Sequence, residues 1–114
     1  MSKLTPYYWN ANENVFETCG RLIDSAMLKL NPLTEEKFEG YLAGAGYIPV
    51  TENMAKEFYR DLVGTAKAEN VPQIGTVEEV ARLMRITTAK ANCYLLTCAY
   101  YKITERQGGF WIYE

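Results

Sequence analysis

The sequence predicts a mainly α fold of about five helices, ending in two short helices, a tight turn between them and a two-stranded hairpin. In several segments apolar residues recur at steps of three and four, as on the buried face of an amphipathic helix. Threonine or asparagine precedes these segments, in the position of a helix N-cap. Near the C-terminus, Gly108-Gly109 lies between two short runs that can pair as strands.

The first predicted helix follows an arm at residues 1–13, where the sequence shows no clear period. Asn14 occupies the position of an N-cap, and Glu17 lies three residues later, close to a capping box. Asn31-Pro32 ends the helix, because a residue before proline avoids the helical conformation. The apolar stripe of this helix consists of Val15, Phe16, Cys19, Leu22, Ile23, Ala26, Met27 and Leu30.

The second predicted helix has clear signals at both ends. Thr34 is its N-cap, and Glu35 and Glu36 lie in its first turn, where the helix dipole favours acidic side chains. Gly44 and Gly46 end it, and one of them is expected to adopt the left-handed conformation just past the helix. Its predicted buried face consists of Phe38, Tyr41, Leu42 and Ala45.

A third helix follows an extended connector at residues 47–50. Thr51 is its N-cap, and we expect the helix to fade after Gly64. The turn-rich stretch 70–75 then joins it to the C-terminal part of the chain. The predicted buried side of this helix consists of Met54, Ala55, Phe58, Leu62 and Val63.

Two more helices and a hairpin are predicted after residue 75. Thr76 caps a helix of about nine residues, and Arg85-Ile86 then turns the chain. Thr87 or Thr88 caps the next helix, whose inner side carries apolar residues at helical spacing. The predicted strands are Lys102–Glu105 and Phe110–Tyr113, around a turn at Arg106-Gln107-Gly108-Gly109.

This C-terminal third resembles the winged helix-turn-helix superfamily. The resemblance depends on Ala81 on the inner face of the first helix, Ile86 in the turn, Thr87 at the start of the second helix and Ala91 on its inner side. Arg85 departs from the pattern, because such motifs commonly have glycine in the left-handed turn, a conformation that costs other residues about 1 kcal/mol. The resemblance implies that the second helix reads duplex DNA, that the hairpin is the wing, and that the protein regulates transcription or replication.

Composition is that of an ordinary soluble domain. The chain has 114 residues, of which 48% are apolar and 23% are charged. This length suffices for a core without a metal or a disulfide. We therefore expect residues 1–114 to form a single domain, with an N-terminal helical subregion at 1–70 and a winged-helix-like subregion at 76–114. The net charge of −2 does not indicate general attraction to phosphate or to an anionic membrane.

The cysteines and the N-terminus indicate a reduced compartment. Three cysteines form an odd set without CxxC spacing, which is typical of free thiols. The first residues lack the apolar core of a signal peptide, and no segment has the ~20 apolar residues of a membrane span. We expect a cytoplasmic protein with no membrane partner.

Candidate DNA contacts cluster around the predicted turn. Polar side chains at the start of the second helix have donors and acceptors for base edges, while cations on the first helix and the wing suit phosphates. Between residues 76 and 114, five basic residues stand against four acidic ones, so we expect a monomer to bind weakly and a homodimer on a palindrome to bind better. The candidate DNA-binding residues are Arg82, Arg85, Thr87, Thr88, Lys90, Asn92, Lys102 and Arg106.

The alternative is a protein-interaction module, such as a phage-encoded inhibitor or an assembly adaptor. Nine Tyr, two Trp and four Phe exceed what a small helical core needs, and Tyr and Trp are favoured at interfaces. The N-terminal rings either dock onto a partner or fill the core, and the outer side of the last helix either packs inside the protein or binds a partner. The candidate partner-binding residues are Tyr7, Tyr8, Trp9, Leu96, Tyr100, Trp111 and Tyr113.

No pattern indicates an enzyme. The chain has no histidine, which removes the commonest general base and metal ligand. Ser2 and Ser25 are the only serines, and no base is at hand to activate them. We therefore expect no catalytic residues, no metal site and no cofactor.

Overall fold

A computed structural model describes residues 4–71 and 75–103, together with the backbone of 106–107 and 110–111. These residues form five helices and five short strands, so the prediction of a mainly α fold is confirmed. The chain divides into two compact units, Met1–Val50 and Thr51–Glu114.

The first unit contains a three-stranded antiparallel sheet. Its strands are β1 (Tyr7–Asn10), β2 (Val15–Thr18) and β3 (Tyr47–Pro49), in the order β2-β1-β3. Trp9 lies opposite Phe16 on one side and opposite Ile48 on the other. Aromatic and β-branched residues favour such cross-strand pairs, which stabilise the sheet.

This sheet corrects the prediction for the N-terminal part of the chain. Asn14 is not a helix N-cap; it has a φ of 55° in the connection between β1 and β2, and Val15 begins a strand. The first helix starts only at Cys19, and Thr18 caps it by accepting a hydrogen bond from the Arg21 amide. The apolar residues at the start of the predicted stripe pair with β1 instead, which a local helical period cannot reveal.

The predicted N-terminal arm is likewise wrong, because β1 runs through it. Tyr8 and Trp9 are only 2% and 4% exposed, so neither ring is available to a partner. Tyr8 packs in the core of the first unit, and its ring meets Phe38 edge-on at 6.4 Å between centroids. Tyr7 is half-buried and lies edge-on to Phe16 at 5.9 Å. The rings therefore fill the core rather than form a docking arm.

Two helices, α1 (Cys19–Met27) and α2 (Glu35–Ala45), complete the core of the first unit. Thr34 caps α2 as predicted, since its hydroxyl accepts a hydrogen bond from the Lys37 amide at 3.2 Å. Gly46 ends α2 in the left-handed conformation, with a φ of 91°. The buried residues of this core are Tyr8, Leu22, Ala26, Phe38 and Leu42.

The second unit is built on three helices, α3 (Glu52–Ala68), α4 (Val77–Met84) and α5 (Thr88–Tyr100). The N-cap at Thr51 is confirmed, but α3 continues to Ala68 instead of fading after Gly64. Each helix of the three contacts the other two, so α3 belongs with the C-terminal helices and the chain divides at residue 50 rather than near 70. The buried residues of this core are Leu62, Ala66, Val80, Ala81, Ala91 and Leu95.

Two strands follow α5, as predicted, but their bounds differ. β4 (Arg106–Gln107) and β5 (Phe110–Trp111) pair antiparallel, with Gln107 opposite Phe110. Arg106 is therefore in a strand and not in the turn. Residues 104–105, 108–109 and 112–114 lie outside the described residues, as do all side chains from 104 onward.

The predicted start of the first hairpin strand, Lys102, belongs to the end of α5. Its φ is 62°, and its amide donates to the Ala99 carbonyl at 3.2 Å. The Ile103 amide reaches back to the Cys98 carbonyl at 2.8 Å. This pair of hydrogen bonds is the usual left-handed termination of a helix, so it excludes an extended strand at Lys102.

Among the described residues, no helix combines the length and the apolar character that crossing a membrane requires.

Candidate nucleic-acid interface

The candidate interface begins with α4, which is fixed at both ends by hydrogen bonds. The Thr76 hydroxyl accepts a hydrogen bond from the Glu79 amide at 3.1 Å, and the Glu79 carboxylate accepts one from the Gly75 amide at 3.5 Å. At the other end the Ile86 amide donates to the Ala81 carbonyl at 2.9 Å. These contacts set where α4 stops, and therefore where the chain turns toward α5.

Arg85 makes that turn in a conformation that ordinary residues avoid. Its φ and ψ are 57° and 47°, in the left-handed region, as expected from its place in the motif. Its side chain is exposed, so packing does not hold it there. The backbone carries a cost of about 1 kcal/mol relative to glycine at this position.

The start of α5 is capped by Thr87. Its hydroxyl accepts a hydrogen bond from the Lys90 amide at 3.1 Å. Thr87, one of the two predicted caps, therefore has a structural role at the helix start, and its contact with DNA stays a prediction. Thr88 follows it as the first exposed residue of α5, and no acidic residue lies in the first turn. The positive end of the helix dipole is thus left without a carboxylate of the helix itself.

Six of the eight predicted DNA contacts meet where α4 turns into α5. Four of them are exposed and two are half-buried, so none is enclosed in the core. They belong to one stretch of eleven residues that covers the end of α4, the turn and the first turns of α5. We call this set the α4–α5 corner: Arg82, Arg85, Thr87, Thr88, Lys90 and Asn92.

Lys90 is supported by aromatic rings from two helices. Its ammonium lies 6.0 Å from the centroid of the Tyr94 ring, one turn along α5. The Tyr94 ring in turn contacts Phe58 of α3, with centroids 5.1 Å apart and an interplanar angle of 46°. A cation near a ring face is weakly attracted to it, which restricts where the Lys90 side chain points.

The remainder of α5 is mostly enclosed. Ala91, Leu95 and Cys98 lie on one side, and Cys93 and Thr97 on the other, all at 0% exposure. A helix buried on both sides cannot lie along its whole length in a DNA groove. Its first turns and its last residue, Tyr100, are the parts accessible to a ligand.

The buried thiols of α5 are unsuited to nucleophilic chemistry. Burial raises the pKa of both Cys93 and Cys98 to about 12. The Cys98 thiol also donates a weak hydrogen bond to the Ala55 carbonyl at 3.4 Å. Since the thiolate is the reactive form, both side chains act as packing groups at neutral pH. Within the described ranges, no group of three potential metal ligands comes together.

The last two predicted DNA contacts are separate from the corner. Lys102 is exposed but lies beyond the opposite end of α5, which at 13 residues is about 20 Å long. The side chain of Arg106 is outside the described residues. The structure therefore does not bring Lys102 to the α4–α5 corner.

The predicted partner surface is only partly exposed. Tyr100 is 62% exposed, and its ring lies edge-on to that of Tyr101 at 5.0 Å between centroids. Leu96 is half-buried. The side chain of Trp111 and the whole of Tyr113 lie outside the described residues, so partner binding by these two residues stays a prediction.

One sequence signal around the corner was missed. From Val80 to Thr104 the chain carries four basic residues, Arg82, Arg85, Lys90 and Lys102, and no acidic one. Counting from residue 76 to the end obscured this run, because acidic residues lie just outside both of its ends. This stretch of the sequence is therefore positive although the whole chain has a net charge of −2.

No family model matches the chain, and no curated protein or solved structure does either.

Proposed function

We propose that this protein binds double-stranded DNA through the α4–α5 corner and acts, without catalysis, in the regulation of transcription or replication. The observation that carries the proposal is the exposed, acid-free start of α5, which follows the exposed Arg82 and Arg85 closely in the chain. A helix N-terminus and guanidinium groups both favour phosphate oxygens. Thr88 and Asn92 offer donors and acceptors for base edges beside them.

The fold supports the same proposal. Ala81 and Ala91 are buried where α4 and α5 meet, and Ile86 packs against this core from the turn. Two paired strands follow α5. This order supports a relationship to winged helix-turn-helix proteins, in which the second helix enters the major groove. Regulation is inferred from that likeness alone.

Affinity per copy is expected to be low. The corner offers three cations, Arg82, Arg85 and Lys90, and affinity for a duplex depends largely on the number of phosphates neutralised. We therefore propose that two copies bind a palindromic site together, which roughly doubles the contacts.

The test is binding of a fluorescent random-sequence duplex at low salt, measured by anisotropy. We expect saturable binding that weakens when Lys90→Ala removes one phosphate contact, whereas Arg60→Ala leaves it unchanged. Arg60 is an exposed cation of α3 in the same unit and serves as the matched control. Absence of binding, or an equal loss in both variants, would overturn the proposal.

A second candidate function is protein interaction, favoured by the exposure of Tyr100. A large ring that is 62% exposed beside a second tyrosine resembles an interface anchor. If this function holds, a pull-down from host lysate recovers a partner after nuclease treatment, and Tyr100→Ala loses it. Recovery that depends on intact nucleic acid favours DNA binding instead.

A further inference from the structure

The second unit contains a cleft of about 520 Å³ beside the α4–α5 corner. Its volume lies within the range of small-molecule sites. Its walls come from the end of α3 and from one side of α4. They carry two guanidinium groups, two carboxylates and two aliphatic side chains: Arg82, Arg85, Glu69, Glu79, Val71 and Leu83.

Charges of both signs face this cleft, which does not suit a phosphodiester alone. Glu79 is held in place by its hydrogen bond from the Gly75 amide, and Glu69 lies at the C-cap of α3, where the helix dipole is negative. These groups repel phosphate and attract an ammonium. Arg82 and Arg85, farther along α4, attract a carboxylate.

The spacing of the charges sets the size of the ligand. Glu79 lies in α4 and Arg85 is its C-cap, six residues later, which corresponds to about 9 Å between their backbone positions, with Arg82 midway. An extended dipeptide separates its ammonium from its carboxylate by roughly 7 Å. Val71 and Leu83, both half-buried, line the same cleft and suit an aliphatic side chain.

The turn residue Arg85 also contributes to the cleft. It keeps a left-handed backbone that glycine would adopt without strain, and its side chain lines the cleft. Residues in this conformation are found at functional sites, although Lys102 adopts it too at the ordinary end of α5. A ligand carboxylate bound by Arg85 accounts for an arginine at this position.

From these observations we propose that the cleft binds a dipeptide-sized zwitterion with an aliphatic side chain. Its ammonium lies against Glu69 and Glu79, and its carboxylate against Arg82 and Arg85. Because the same two arginines belong to the α4–α5 corner, the bound dipeptide competes with duplex DNA. This competition rests on the proposed function, whereas binding of the dipeptide to the cleft does not.

The test for binding uses glycyl-leucine as the probe and the full chain labelled with ¹⁵N for NMR titration. We expect saturable shifts around Leu83 and Val71, with a Kd on the order of 1 mM for a ligand of this size. N-acetyl-glycyl-leucine lacks the ammonium and glycyl-leucinamide lacks the carboxylate. Each should bind about fivefold more weakly, the upper end for an exposed ion pair.

Two variants and a control assign the contacts. Arg82→Gln should weaken binding of glycyl-leucine but not of glycyl-leucinamide, which lacks the carboxylate. Glu79→Gln should weaken binding of glycyl-leucine but not of N-acetyl-glycyl-leucine, which lacks the ammonium. Glutamine retains the capping hydrogen bond of residue 79, so α4 stays folded. Arg60→Gln should change nothing. No saturable shift, or equal shifts with all three probes, would overturn the site.

Competition with DNA is measured separately. At about 10 mM glycyl-leucine, the apparent Kd for a duplex should rise roughly tenfold, and the acetylated probe should have a much smaller effect. If the dipeptide binds but the duplex affinity is unchanged, the competition is overturned and the site stands. If no duplex binds, the proposed function fails while the NMR titration still decides the cleft.

Discussion

Arg85 has two effects that substitution can separate. Its left-handed backbone destabilises the turn, whereas its exposed guanidinium is available to a ligand. We expect Arg85→Gly to raise the free energy of unfolding by about 1 kcal/mol, because glycine adopts this conformation without a Cβ clash. Urea unfolding of the purified protein measures this.

Arg85→Ala serves as the control for that prediction. Alanine keeps the Cβ, so stability should change little, but it removes the guanidinium. Both variants should therefore lose affinity for duplex, and only the glycine variant should gain stability. An unchanged unfolding midpoint for Arg85→Gly would show that the turn is not strained.

Thr87 illustrates how a residue that was predicted to contact DNA can have a structural role. Its hydroxyl caps α5 through the Lys90 amide. We expect Thr87→Ala to lower the free energy of unfolding by about 1 kcal/mol, and Thr87→Asn, which retains a capping acceptor, to lower it by much less. Equal losses in a thermal or urea titration would mean that the cap contributes little.

At the scale of single residues, most helix N-caps could be predicted from the sequence, because capping depends on neighbouring residues only. The N-caps at Thr34, Thr51 and Thr76 were predicted and are present, and of the two candidates for α5, Thr87 and Thr88, the cap is Thr87. Asn14 was not a cap, because the residues that follow it pair with β1 as a strand, with Val15 opposite Asn10 and Phe16 opposite Trp9. A local signal cannot report such pairing.

The element whose burial has the clearest consequence for the pH dependence of stability is α5. It is buried on two sides, and that burial raises the pKa of its two thiols to about 12 from an ordinary value of 9.0. In the same helix, burial also raises the pKa of Tyr94. These shifts mean that the folded state disfavours the ionised forms of all three groups.

The sign of the resulting pH dependence follows from proton binding. Between about pH 9 and pH 12 the folded state holds the thiol protons of Cys93 and Cys98 more tightly than the unfolded state does. Their contribution to stability is complete below pH 9 and is lost as the pH rises toward 12. We expect a decline of up to roughly 1.4 kcal/mol per pH unit for each thiol.

Urea unfolding between pH 7 and about pH 10.5 measures this decline. Cys98→Ala should make the decline shallower, because one of the two titrating thiols is gone, even though the variant is less stable at pH 7. A matched labelling experiment should find both buried thiols unreactive toward a thiol reagent at pH 8 unless the protein unfolds. Rapid labelling in the folded state would contradict the burial of this helix.

Periodicity predicted α2 to α5 but failed where one element gives way to another. The spacing of Val15 and Phe16 fits the apolar stripe of a helix as well as it fits a strand. Pairing with β1, where Trp9 lies opposite Phe16, selects the strand. Likewise α3 continues past Gly64, because its residue Ala66 is fully buried in the core and tertiary packing outweighs the low helix propensity of glycine.

At the scale of the whole chain, charge distribution matters more than net charge. A net charge of −2 argued against nucleic acid, yet the four cations and no acids between residues 80 and 104 argue for it locally. Only the folded structure indicates which of these cations act together. Three of them lie at the α4–α5 corner and Lys102 lies beyond the far end of α5.

This separation predicts the salt dependence of duplex binding. If one copy neutralises three phosphates, the slope of log K against log salt should be about −3, and about −5 for two copies bound together. Arg82→Gln should make the slope less negative by about 1 for one copy, whereas Lys102→Gln should leave it unchanged.

Anisotropy titrations from about 20 to 200 mM NaCl provide the slopes, and sedimentation of the complex provides the number of copies. A slope near zero would mean that phosphates are not the ligand of the corner, and an equal effect of Lys102→Gln would mean that the bound surface extends along the whole of α5.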